Sequence, residues 1–127
     1  MSRRYDTKRR KKWNRRILLC QSIKKLTLTH VKDDDNLVWL STEDITDLLQ
    51  STSSGKKRNG RNDMNGNELM SRLRPIINSD FMETTYYDKT TNIGGIRRRY
   101  RAISFAVTDM ELLEEYIEYC AQQRAKI

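Results

Sequence analysis

Between Ile96 and Phe105 the chain places four arginines and a tyrosine on five consecutive positions, Arg97-Arg98-Arg99-Tyr100-Arg101. Guanidinium groups stay charged at any working pH, so they serve as anion receptors and not as proton shuttles. Their planar fork matches phosphate bidentately, and arginine is also favoured in narrow minor grooves. In an extended strand alternate side chains share a face. Arg97, Arg99 and Arg101 therefore fall on the face that also carries Ile103 and Phe105, which predicts a strand whose inner half is core and whose outer half is cationic. Tyr86, Tyr87 and Tyr100 are placed to donate hydrogen bonds to phosphate or to stack on unpaired bases, and Tyr87 and Tyr100 join the arginines as contact candidates.

The remaining cations are segregated along the sequence. Residues 1–16 hold nine basic side chains against Asp6 alone, and residues 51–101 hold eleven against five acidic ones. Residues 17–50 and 102–127 are each net −3, within a total of +8. Solubility alone would not sort charge this way, and a binding face would. Arg9, Arg10, Lys11 and Lys12 of the first run and Lys56, Lys57, Arg58 and Arg61 of a polar middle stretch are further candidates for nucleic-acid contact. The Lys8–Lys12 run also fits a nuclear address in a eukaryotic host.

Other chemistry finds little support. His30 is the only histidine and has no nucleophile to activate, no carboxylate pair lies in an apolar context, and Gly94-Gly95 lacks the length of a phosphate loop. An enzyme is not expected, nor a cofactor, nor a metal. Asp33-Asp34-Asp35 lacks the alternating ligands and glycine of a calcium loop and reads as a solvated turn. Cys20 and Cys120 sit in apolar helical patterns and are expected to be buried thiols in a reducing compartment, with a disulfide neither required nor excluded. No secretory signal or membrane-length apolar run is visible, so an intracellular protein is expected, in the nucleoid or the nucleus according to host.

The elements that must position the arginines follow from periodicity. Residues 1–10 read as a disordered basic arm, and residues 11–127 as a single domain. Rows such as Leu19, Ile23 and Leu26 predict a helix from Lys11 to Leu28. Leu37–Leu40 reads as a brief strand. Ser41 or Thr42 caps a helix over 42–50 whose apolar face is Ile45, Leu48 and Leu49. Residues 51–65 are a flexible basic loop. A helix over 66–76 follows, capped by Asn65 or Asn67, with Leu69, Met70 and Leu73 inward and Pro75 ending or kinking it. A hairpin occupies about 81–106, turning at Asn92, Gly94 and Gly95, which tolerate positive φ. Thr108 and Glu111 form a capping box for the last helix, whose apolar stripe is Leu112, Leu113, Tyr116, Ile117 and Cys120. Glu111, Glu114, Glu115 and Glu118 form its outer face.

The order helix, strand, helix, helix, hairpin, helix predicts an α+β, mainly α fold: a winged helix with flanking N- and C-terminal helices. Residues 66–76 would be the recognition helix, with Arg72 and Arg74 and the polar Asn67, Glu68 and Ser71 facing the groove, and 82–105 the wing. Three stretches carry a family resemblance: Val38-Trp-Leu-Ser-Thr-Glu-Asp-Ile-Thr-Asp-Leu-Leu49, Asn67-Glu-Leu-Met-Ser-Arg-Leu-Arg-Pro-Ile76 and Ile93-Gly-Gly-Ile-Arg-Arg-Arg-Tyr-Arg101. Over residues 38–105 they are similar to the small winged-helix module at the C-terminus of phage and mobile-element primase-helicases. This chain differs in its 51–65 insert, its basic arm and its lack of a helicase portion. The resemblance implies a DNA-binding protein of a virus or mobile element, acting in transcription regulation or as a replication accessory. Double-stranded DNA is the expected partner, and the C-terminal helix is a candidate homodimer contact. The alternatives are a protein-interaction or inhibitor module that docks on a nucleic-acid-handling partner, and a binder of single-stranded DNA or RNA.

Overall fold

A computed structural model describes residues 3–51 and 66–127, and the side chains of residues 3–5, 66–68 and 93 lie outside that description. Its elements are α1 (Arg3–Thr29), β1 (Leu40–Ser41), α2 (Thr42–Ser51), α3 (Gly66–Ile77), β2 (Met82–Ile93), β3 (Ile96–Val107) and α4 (Met110–Ala125). The architecture is α+β and mainly helical, with one three-stranded antiparallel sheet ordered β1-β3-β2. Of the predicted polar loop, residues 52–65 lie outside the described residues, while Ser51 closes α2.

α1 begins eight residues earlier than the apolar periodicity predicts. Residues 3–10 are helical where an unstructured arm was expected. The segment has no Gly or Pro, its Arg and Lys residues are good helix formers, and Asp6 suits the first turn. The apolar pattern misses it because contacts at one end hold it. α4 packs along α1, with Trp13 and Tyr119 edge to face at 6.0 Å. Arg124 donates to Asn14 Oδ1 at 3.0 Å, and Arg10 donates to the Ile127 carbonyl at 2.9 Å. Once the packed turns from Trp13 to Leu26 exist, extending the helix outward costs little. At the other end Thr27 and Thr29 turn their hydroxyls back onto the Ile23 and Lys25 carbonyls, a competition with the backbone that marks the helix end.

Local chemistry sets the remaining boundaries. Asp33 organises the loop after α1. Its Oδ1 accepts from the backbone N–H groups of Asp35 and Leu37 at 2.9 and 2.8 Å, and its Oδ2 accepts from Trp39 Nε1 at 2.7 Å. These bonds, the Leu37 one above all, hold its carboxyl below the usual carboxylate range. The expected strand over Leu37–Leu40 reduces to Leu40–Ser41, since only those two residues pair with β3. Ser41 caps α2: its N–H donates to Asp44 Oδ2 at 2.8 Å and its Oγ accepts from the Asp44 N–H at 3.3 Å. Pro75 lies inside the last turn of α3 and does not end it, because the helix continues to Ile77. The α4 cap falls on Asp109 and not on Thr108: Asp109 Oδ1 accepts from the Leu112 N–H at 3.2 Å, while the Thr108 N–H is taken by the Phe81 carbonyl.

Every element contributes to one core. Leu19, Ile23, Leu40, Ile45, Leu69, Leu73, Ile76, Phe105 and Leu113 are essentially without solvent contact. Cys20 and Cys120 are buried free thiols. Burial, with Cys120 nearby, pushes the Cys20 thiol up to about 12, which keeps it protonated and unreactive. The α4 stripe packs on α1 of the same chain, with Leu113 and Cys120 buried; Leu112 is left at the surface, and so is Tyr119 outside the stripe. Among the described residues no helix is long and apolar enough to cross a membrane.

Candidate nucleic-acid interface

β2 and β3 pair without a bulge from Met82↔Val107 to Ile93↔Ile96. Gly94 and Gly95 form a two-residue turn with φ of +59° and +80°. Consecutive positive φ values match the right-handed twist of a hairpin, and glycine adopts them without penalty. Asn92 needs no such freedom: it belongs to β2, and among the described residues Asn36 is the only non-glycine with positive φ. β1 covers only Phe105 and Ser104 of β3. From Ile103 outward the sheet is therefore a two-stranded ribbon, with Ile103 still packed against the core.

Burial along β3 changes from end to end and does not alternate as expected, since both faces are exposed from Ile96 to Arg101 and both are buried from Phe105 to Val107. Phe105 is fully buried, Ile103 half-buried, and Arg97, Arg99 and Arg101 are exposed on the same face. Arg98 and Tyr100 are exposed on the other face. Asp88 stands opposite Arg101 in register, yet neither Asp88 nor Glu83 forms an ion pair with a β3 arginine among the described residues. Arg101 instead lays its guanidinium 4.3 Å from the Tyr86 ring centroid, a cation–π contact that keeps its charge available. Lys89 is used differently, as an ion-pair brace to Glu43 of α2. That brace ties the middle of the ribbon to the helix before α3, and sequence spacing gave no sign of it.

α3 stands between two clefts. Its buried row is Leu69, Leu73, Ile76 and Ile77, which turns Ser71, Arg74, Pro75 and Asn78 outward. On the hairpin side a cleft of about 430 Å³ runs between α3 and β3. Arg74, Asn78, Tyr86, Tyr100 and Arg101 line it, together with the apolar Met70 and Ile103. On the other side a smaller cleft of about 130 Å³ separates α3 from α1, lined by Lys12, Arg15, Arg16, Ser71, Arg72 and Pro75. Four cations meet there, and among the described residues no carboxylate lines the space. Arg16 is steered by its 4.9 Å approach to the Trp13 ring, and Lys12 lies 5.2 Å from the same ring.

The sequence-predicted candidates thus divide into groups. Arg97, Arg98, Arg99, Tyr100 and Arg101 share the ribbon. Arg74 and Ser71 are on the outward row of α3, while Arg72 is half-buried and turned towards α1. Lys12 joins that α1 cleft. Lys11 is exposed, Arg9 is half-buried, and Arg10 is engaged with the carbonyl of Ile127. Tyr87 pairs with Ala102 on the face away from Tyr86 and is not among the residues lining the large cleft. The Asn67 side chain and Lys56, Lys57, Arg58 and Arg61 lie outside the described residues. Sequence reasoning missed Arg15 and Arg16 as partners of Arg72, and it preferred Tyr87 to Tyr86. A one-residue choice of strand register decides the second point. Among the described residues no cluster of His, Cys, Asp or Glu has the arrangement to hold a metal ion.

No protein family, curated protein or solved structure matches this chain.

Proposed function

We propose that the chain is a winged-helix protein that binds double-stranded DNA. Its element order and its sheet order β1-β3-β2 support this reading, in which α2 would support α3, α3 would enter the major groove and the β2–β3 ribbon would be the wing. One observation carries the reading: Arg97, Arg99 and Arg101, which form no ion pair among the described residues, follow the buried Phe105 along one strand of a ribbon that Lys89 ties to α2. In this reading the outward row of α3, Ser71, Arg74 and Asn78, reads base edges. The wing arginines and the Lys12–Arg15–Arg16–Arg72 cluster hold phosphates on the two sides of the helix. A role in transcription or in replication of a virus or mobile element fits equally, since both need a compact duplex reader.

The test is binding to a short duplex as salt is varied. Each phosphate neutralised contributes about 0.9 to the log–log slope. The wild-type slope is expected to be several units, and the Arg97→Ala, Arg99→Ala, Arg101→Ala variant should lose about 2–3 of them. Arg15→Ala with Arg72→Ala should remove about two more. Arg74→Ala should instead change which sequences are preferred. A salt-independent affinity, or a triple variant that binds like wild type, rules out this interface.

A further inference from the structure

The hairpin-side cleft sets exposed aromatic and apolar surface beside two arginines, a lining that suits a base as well as its phosphate. We propose that it is a nucleobase site, which takes an unpaired base from the end of a DNA duplex. The protein would then favour duplexes with a single-stranded tail over blunt ones. This inference rests on the duplex-binding reading and adds the kind of DNA end that is bound.

A phosphodiester crossing between α3 and the wing needs donors and cations and gains nothing from apolar surface. The lining of the cleft, however, also includes the apolar Met70, Ile77, Ala102 and Ile103. Two tyrosines face it and remain well exposed, Tyr86 at 55% and Tyr100 at 42%. Large aromatic surface left open in a cleft suits flat, apolar-faced ligands such as bases. One face of the Tyr86 ring is taken by the Arg101 guanidinium, which fixes the ring, and the ring keeps exposed surface beyond that contact. Tyr100 comes from the opposite face of β3. It can line the same space because β3 has no neighbour on the β1 side beyond Ser104. Arg74 and Asn78 at the α3 side, with Thr42 and Thr84, supply donors and acceptors for a base edge. The volume of about 430 Å³ falls in the range of roughly 300–1,000 Å³ typical of small-molecule sites, whereas the cationic cleft beside α1 does not reach it.

The placement also fits the geometry of a duplex end. With α3 in the major groove and the wing over the next stretch of backbone, the cleft lies beside the strand that passes between them. A paired base cannot enter it without leaving its stack. A base beyond the last pair can, at much lower cost.

The experiment compares three DNAs with the full chain at fixed salt: a blunt duplex, the same duplex with a short single-stranded tail, and the same tail made abasic. The abasic tail keeps the added phosphates and removes the added bases. The expected result is about five-fold or greater preference for the normal tail over both others, in line with alanine-scan values for base–aromatic stacking. Tyr86→Ala and Tyr100→Ala should each erase most of that preference, and Tyr86→Phe should keep it. A 2-aminopurine at the first unpaired position should be quenched by wild type and not by Tyr86→Ala. Equal affinity for normal and abasic tails, or a preference unaffected by both alanine variants, overturns the base site while leaving duplex binding standing. Failure to bind any of the three DNAs overturns both readings together.

Discussion

β3 is one strand with two chemistries. Its inner half, Ile103 to Val107, has a neighbour on each side at Ser104 and Phe105, and Phe105, Ala106 and Val107 are all buried. Its outer half, Ile96 to Arg101, has only β2 beside it and is exposed throughout. The same alternation of side chains runs through both. Only the presence of helices against the faces changes, and with it the residues the strand can carry. The inner half is judged by volume and fit, because a buried side chain has nowhere else to go. The outer half is judged by charge. Its arginines also keep an otherwise bare ribbon edge from pairing with another chain. A two-stranded ribbon of this kind is marginal by itself. It persists here because its register is continuous with the core and because Lys89 is tied to Glu43.

Truncations at the two ends therefore report different things. Phe105→Ala removes the largest fully buried side chain and should lower unfolding free energy by about 3–5 kcal/mol, read by urea or thermal denaturation. At the outer end, replacing Arg97, Arg99 and Arg101 by alanine should leave stability within about 0.5 kcal/mol per site, as is usual for exposed positions. The loss there should appear in duplex affinity and its salt slope. If the arginine variant unfolds as readily as the phenylalanine variant, the outer half is structural and the division is wrong.

Much of this division was legible in the sequence, and the reasons it was legible also mark where reading stops. Parity gave the shared face of Phe105 and Arg101 because a strand has a fixed period of two. Ser41 or Thr42 announced the start of α2 because capping is local chemistry, and the cap falls on Ser41. What depends on two distant segments meeting was not legible. Nothing in residues 12–16 states that they lie against residues 71–75, so the cationic cleft between α1 and α3 was invisible. The start of α1 was misplaced because the contacts that hold it come from α4, about a hundred residues later. The brace from Lys89 to Glu43 and the choice of Tyr86 over Tyr87 both depend on strand register, which periodicity alone does not fix.

Smaller insults at the two ends should separate the halves more finely. Gly95 has φ of +80° at the tip of the ribbon, and a Cβ there would meet nothing within 4 Å. Gly95→Ala therefore costs backbone strain and no clash, on the order of 1–2 kcal/mol for a residue forced to left-handed φ. Because the tip lies outside the cooperative core, that cost should appear as faster amide exchange in residues 91–98 and weaker duplex binding, with little change in the global melting curve. A melting temperature lowered as by a core mutation would mean that the ribbon folds as one unit with the core.

Ser41→Ala is the smallest change and the mirror of the last one. Ser41 pairs with Ser104 on the inner half of β3 and caps α2 through Asp44, so one side chain stands where the sheet meets the helix that supports α3. Removing its hydroxyl leaves the backbone pairing intact and deletes the bond from the Asp44 N–H, for a loss of about 1 kcal/mol. Here the loss should be global. The urea midpoint should fall without a change in slope, exchange in residues 91–98 should stay as in wild type, and duplex affinity should be unaltered once the protein is folded. Asp44→Ala should lose a comparable amount, and the double variant should lose less than the two together, because both substitutions break the same reciprocal bonds. Additive losses would show that Ser41 and Asp44 act separately, and a fall in duplex affinity would show that the α2 start communicates with the wing, through its neighbour Glu43 and the ion pair to Lys89.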